Sequence, residues 1–137
     1  MMQSNRGAAQ YRAVSSHGLV ADASPTRLVQ IMFEHILSNL ATAHGCMERI
    51  EDNRPVSDVI MKGTAMGKAI RLINQLDSTL DMERGGEIAE SLRALYVYIL
   101  ARLTLANATN DGTIVAEVVK LVRDVKTGWD QIVTDER

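Results

Sequence analysis

Apolar residues recur along most of the chain at steps of three and four, the spacing of one face of an α-helix. The first stripe runs through Leu28, Met32, Ile36, Leu40, Ala43, Met47 and Ile50. Ser24-Pro25 precedes it, and Ser as N-cap with Pro at the first helical position is a strong helix start. The stripe ends in Glu51-Asp52-Asn53-Arg54-Pro55, a polar turn with a breaker. A second helix is predicted to open near Ser57, with Asp58 favourably placed against the helix dipole. Its stripe is Val59, Gly63, Met66, Ile70, Ile73 and Leu80, and Ala69, Leu72 and Leu76 form a second apolar line beside it. The third opens at Gly86-Glu87 and carries Ile88, Leu92, Leu95, Ile99, Leu103 and Ala106, again with a second line, through Ala89, Tyr96 and Leu100. Polar turn chemistry from Asn107 to Gly112 offers Asp111 or Thr113 as the next cap. The last stripe, Val115, Val118, Val122, Val125, Trp129 and Ile132, is a near-perfect heptad seam.

The pattern thus predicts helices over about 25–51, 57–80, 87–108 and 113–134, with roughly 70–80% of residues helical, well above the globular average. Short connections between long helices make neighbours antiparallel. The expected fold is all-α, an up-down-up-down four-helix bundle, and no run alternates at period two as a strand would. Residues 1–23 are only weakly periodic, with scattered apolar side chains at Tyr11, Val14, Leu19 and Val20, and read as an N-terminal arm ahead of the bundle at 24–137.

Composition narrows the function. A chain of 137 residues fits one domain. Fifteen Lys and Arg against seventeen Asp and Glu leave a net charge of −2. Domains that neutralise nucleic-acid phosphates are usually strongly basic, so no nucleic-acid partner is expected. The single Cys46 excludes an internal disulfide and a Cys-based zinc site, and suits a reducing compartment. No apolar run approaches a membrane span, and the first residues are polar where a signal peptide would be apolar. A cytoplasmic protein without membrane insertion is expected.

Bond-making chemistry finds little support. A di-metal bundle needs inward Glu with Glu-x-x-His motifs. No Glu here is followed by His three positions later, so neither a metal site nor any other cofactor is expected. A four-helix histidine phosphotransfer domain is the alternative reading. Such domains typically follow their His with Lys-Gly, whereas His35 and His44 precede Ile36 and Gly45. Gly63-x-x-x-Gly67 reads as a tight helix–helix contact and Gly85-Gly86 as a flexible turn. Cys46 has no candidate base beside it. No catalytic residue is predicted, and the protein is not expected to be an enzyme.

The unusual feature is the doubled apolar stripe on the second and third helices. One stripe suffices for a bundle seam, so a second implies more surface to bury. A thicker core or a dimer interface would do this, and so would a groove for an amphipathic partner helix.

Several landmarks in order resemble the flagellar secretion chaperone family (FliS). They are Tyr11 in the arm, Ala23-Ser24-Pro25, Lys62-Gly63, and Lys68-Ala69-Ile70 with Ile73. The densest is Gly85-Gly86-Glu87-Ile88-Ala89, followed by Leu92, Leu95-Tyr96, Tyr98, Arg102-Leu103 and Ala106-Asn107, with Trp129 near the end. Phe33-Glu34-His35 departs from the family's usual aromatic-Asp-Gly-Ala stretch, and the tail past Ile132 is short. The resemblance implies a cytoplasmic chaperone of flagellin. It would bind flagellin's C-terminal segment, prevent premature self-association and deliver the client to the flagellar export apparatus. It also implies links with the flagellar anti-sigma factor and export-gate components, and a homodimer stays open. The client surface expected here is Leu72, Leu76, Tyr96 and Leu100, with Ile73 and Ile99 shared with the core. Tyr11 is expected to anchor the arm over that groove.

Overall fold

Ser24 caps the first helix as the Ser-Pro pair predicts. Ser24 Oγ accepts a hydrogen bond from the Arg27 amide at 3.2 Å, and its carbonyl accepts from Leu28. The computed structural model describes residues 24–53 and 55–135. Four helices follow: α1 Pro25–Asn53, α2 Val56–Ser78, α3 Gly86–Thr109 and α4 Gly112–Asp135. Among the described residues there is no strand, and the fold is the all-α bundle expected from the periodicity.

The ends of the helices show where local chemistry differs from the pattern. α2 starts at Val56 rather than at Ser57, because Pro55 itself takes the cap position with an extended backbone (φ −67°, ψ 136°). Its carbonyl accepts from the Asp58 and Val59 amides, and its fixed φ suits that place. The same helix stops at Ser78, short of Leu80. The Ser78 and Thr79 hydroxyls donate to the carbonyls of Gln75 and Leu76, both at 2.8 Å, satisfying acceptors that another turn would have used. α3 ends on Asn110, which takes the left-handed conformation (φ 54°) that Asn tolerates at a helix end. Asp111 is the cap of α4: its Oδ1 accepts from the Thr113 amide at 2.9 Å and from the Thr113 hydroxyl at 2.6 Å.

The turn from α2 to α3 is more tightly built than a flexible connection. Asp81 Oδ1 accepts from the amides of Glu83 and Arg84, and the Asp81 carbonyl accepts from Gly85 at 2.7 Å. Gly86 follows with φ +51°, a conformation glycine adopts at no steric cost. A Cβ on Gly85 would lie 2.6 Å from the Ala89 Cβ and 2.7 Å from the Asp81 carbonyl oxygen. Gly85→Ala should therefore cost about 1–3 kcal/mol. Gly63→Ala should stabilise by up to about 1 kcal/mol, since a Cβ there meets nothing within 4 Å and the helix gains propensity. Urea unfolding of the two variants should shift in opposite directions.

Each helix packs on its neighbours in sequence, and α4 closes the ring against α1. The ring puts the α2–α3 seam and the α1–α4 seam on opposite sides. The centre is filled by fully buried Leu28, Met32, Ile36 and Leu40 of α1 with Met66, Ile73, Ile99 and Leu103. Val115 and Val118 supply the α4 side. Trp129, half-buried near the end of α4, donates its indole N–H to the Thr26 carbonyl at 2.8 Å and so fastens the end of α4 to the start of α1. Beside it Gln30 and Lys126 both donate to the Asp130 carboxylate, at 2.6 and 2.8 Å.

Candidate functional site

The residues expected to bind a partner are mostly inside. Leu76 is 3% exposed and Tyr96 5%, and Leu72, Ile73 and Ile99 are likewise buried in the core cluster. Leu100 is half-buried, packed against that cluster. The arm and Tyr11 lie outside the described residues. The doubled stripes on α2 and α3 are thus largely consumed by the bundle. In a four-helix ring every helix has two neighbours as well as the centre, so its inward arc is wide.

A different apolar set remains in solvent, and helical registers locate it. On α3, Arg93, Leu100 and Asn107 are seven apart on the edge facing α2. Arg93 Nε pairs with Asp77 at 3.3 Å, and Lys62 Nζ reaches the Asn107 carbonyl at 3.2 Å. The opposite edge faces α4: Tyr98 donates to Glu117 at 2.8 Å, and Arg102 Nε donates to the other oxygen of the same carboxylate at 2.9 Å. Between the edges lie Ala94, Val97, Ala101, Thr104 and Ala108, all exposed, with Leu105 beside them. From Ser91 to Thr109 the charged residues of α3 are Arg93 and Arg102, each drawn to a flank by a carboxylate. The outward face of α3 carries no charge over this stretch.

The start of α2 continues this surface. Val56, Gly63, Ile70 and Asp77 are seven apart, so the Asp77–Arg93 pair places this edge of α2 beside α3. Val56 is 73% exposed and Ile60 64%, beside the end of α3 that carries Thr104 and Ala108, and farther along the same seam Val97 is 59% exposed. Gly63 and Gly67 do not make the tight helix–helix contact expected of their spacing. Besides the open space at Gly63, a Cβ on Gly67 would meet within 4 Å the Arg71 guanidinium alone, at 3.8 Å. They leave a shallow trough in the outer surface of α2. Two glycines in a helix cost about 1 kcal/mol each relative to alanine, and packing inside the bundle does not require them.

No acid–base constellation accompanies this face. His44 Nδ1 lies 3.4 Å from Glu48, over on the α1–α4 side. The perturbed carboxyls belong to caps and flanks. Hydrogen bonds from Thr113 hold Asp111 below its ordinary 3.8, and those from Tyr98 and then Arg102 hold Glu117 below 4.5. The Lys126 hydrogen bond holds Asp130 below 3.8. A carboxyl whose pKa is lowered by folding binds fewer protons folded than unfolded. Its contribution to stability is complete above the ordinary value and is lost as pH falls through the lowered one. Thermal stability should therefore decline with acidity below about pH 4, and Glu117→Gln should flatten that decline in melts recorded across the range.

Among the described residues, fold and surface together define a helical bundle with an uncharged outer face on α3 that no other helix covers. The family model of flagellar protein FliS matches residues 7–136, and the chain belongs to that family. It is 45% identical to the flagellar secretion chaperone FliSB of Pseudomonas aeruginosa over 90% of this chain and 92% of the relative. It is 38% identical to flagellar secretion chaperone FliS of Salmonella typhimurium, over 96% and 93% respectively. The Vibrio cholerae protein of that name is 36% identical over 93% and 89%. These relatives are named as chaperones, not as phosphotransfer domains, and the family is one of flagellar export chaperones. Among the described residues no helix is long and apolar enough to cross a membrane.

Proposed function

We propose that this chain acts in the cytoplasm, by binding alone. It holds the C-terminal segment of flagellin across the α2–α3 face, prevents its self-association and passes it to the flagellar export apparatus. The observation that carries this reading is the uncharged outer stripe of α3 beside the apolar, glycine-grooved start of α2. A contiguous exposed apolar face is what an amphipathic helix covers, and the trough at Gly63 and Gly67 lets a partner backbone approach closely. Leu100 borders that face directly. Leu72, Ile73, Leu76, Tyr96 and Ile99 support it from beneath, so substituting them acts on binding through the fold. Tyr11 and the arm keep their expected part as a cover that the client displaces.

A client that is disordered when free gives back part of its interaction energy on ordering, which suits a partner that must be released. Titration calorimetry with a purified C-terminal flagellin segment should show one-to-one binding with a negative heat-capacity change from apolar burial. Absence of binding across a range of temperatures overturns the reading.

A further inference from the structure

The α1–α4 seam, on the far side of the bundle from the α2–α3 face, holds a groove of about 470 Å³. Its apolar floor comes from Leu37 and Ala41 of α1 with Ala116 and Val119 of α4, above fully buried Leu40. Lys120, Arg123 and Asp124 line the α4 side, and His44 the α1 side. Among the described residues Lys120 and Arg123 have no ion pair and no side-chain hydrogen bond. Lys68 and Arg71 on α2 are likewise unpaired, whereas Arg27, Arg49, Arg84, Arg93 and Arg102 each sit on a carboxylate. Lys126 uses the four-residue spacing to Asp130 as an ion pair, whereas Lys120 makes no such pair with Asp124.

We propose that this seam is a second docking groove, whose occupant is an acidic amphipathic helix of another protein. Two unspent cations, against the single carboxylate of Asp124, leave the groove net positive over an apolar floor and complement a helix that presents an apolar ridge flanked by carboxylates. A helix satisfies its own backbone hydrogen bonds, whereas an extended segment would need a sheet edge, and the described residues contain none. The lining spans about two to three helical turns, roughly 12 Å, a length a short recognition helix fills. The chain's own arm has the wrong charge for this place, with Arg6 and Arg12 against Asp22. Because the two seams are opposite, a helix here and a client on the α2–α3 face can be held together. The inference does not depend on what the latter client is.

The test uses the full-length chain and a fluorescein-labelled synthetic helix of about five turns, with leucines at i, i+4 and i+7 spacing and flanking glutamates. A matched isomer carries lysine in place of each glutamate. Fluorescence anisotropy should show the glutamate helix binding at least about tenfold tighter than the lysine isomer, with the preference shrinking as salt rises. The double variant Lys120→Glu/Arg123→Glu should abolish or invert the preference. Lys68→Glu/Arg71→Glu, an equal change of charge on α2, should leave it intact, as should Val97→Asp. Ala41→Trp, which fills the floor, should remove binding while circular dichroism stays helical. Equal affinity for the two helices overturns the proposal, as does loss of binding in Val97→Asp. Tenfold tighter binding on removing residues 1–23 would make the arm the occupant instead. A dimer in sedimentation that Lys120→Glu/Arg123→Glu dissociates would make it a second copy, and either result overturns the assignment to another protein.

Discussion

Val97→Asp is expected to weaken capture of the flagellin C-terminal segment by about 2–4 kcal/mol, roughly thirty- to a thousandfold, while the bundle unfolds at nearly its original temperature. Val97 is exposed in the free chain, and exposed substitutions usually stay within about 0.5 kcal/mol of neutral. In the complex the new carboxylate would sit in a desolvated contact between Ala94 and Ala101 with no cation of α3 to meet it, since Arg93 and Arg102 are committed to Asp77 and Glu117. Calorimetry paired with thermal melts separates the two effects. Leu76→Asp makes the opposite comparison. That side chain is inside the core, so an unpaired carboxylate there should unfold the protein and abolish binding for that reason alone. Unchanged affinity in a folded Val97→Asp protein would move the client off the outer face of α3.

Leu103→Ala should cost about 3–4 kcal/mol of stability. The side chain is fully buried, within the core cluster that also holds Ile99 and Ala106 of α3. Truncation removes apolar atoms and leaves a cavity that the rigid helices around it close only in part. For a chain of this size the melting temperature should fall by about 10 °C. Leu105→Ala, two positions along the same helix but in solvent, should cost well under 1 kcal/mol. Urea unfolding of both variants measures the difference directly, and similar losses would mean that α3 is rotated relative to the arrangement described.

Four helices, their approximate ends and the bundle that joins them were all legible in the order of residues. Each rests on interactions between near neighbours. Ser24-Pro25 starts α1 through a cap that spans three residues, and the heptad spacing of Val115, Val118 and Val122 names an inward face before any partner is known. The reach of local chemistry also explains the small misplacements at Ser57 and Leu80. At one end of α2 the Pro55 carbonyl takes the Asp58 and Val59 amides, at the other the Ser78 and Thr79 hydroxyls take the Gln75 and Leu76 carbonyls, and periodicity registers neither.

Surface was another matter. The doubled stripes of α2 and α3 signalled surplus apolar surface, but not which half of it the bundle would absorb. Leu72, Leu76 and Tyr96 went inside because a helix in a closed ring is covered along a wide arc, by two neighbours and the centre. Val97, Ala101 and Ile60 stayed outside because no further helix among the described residues reaches them. A signal for this face did exist in the sequence: α3 from Ser91 to Thr109 carries only two charged residues, too few for a helix with an ordinary solvent side. Gly63 and Gly67 have the same spacing whether they face a helix or open space, and the register of α2 against α3 decided between the two. That register depends on side chains far apart in the chain, such as Asp77 with Arg93 and Lys62 with Asn107. Local patterning determined the elements, and only their tertiary packing decided which apolar residues became core and which remained free for a partner.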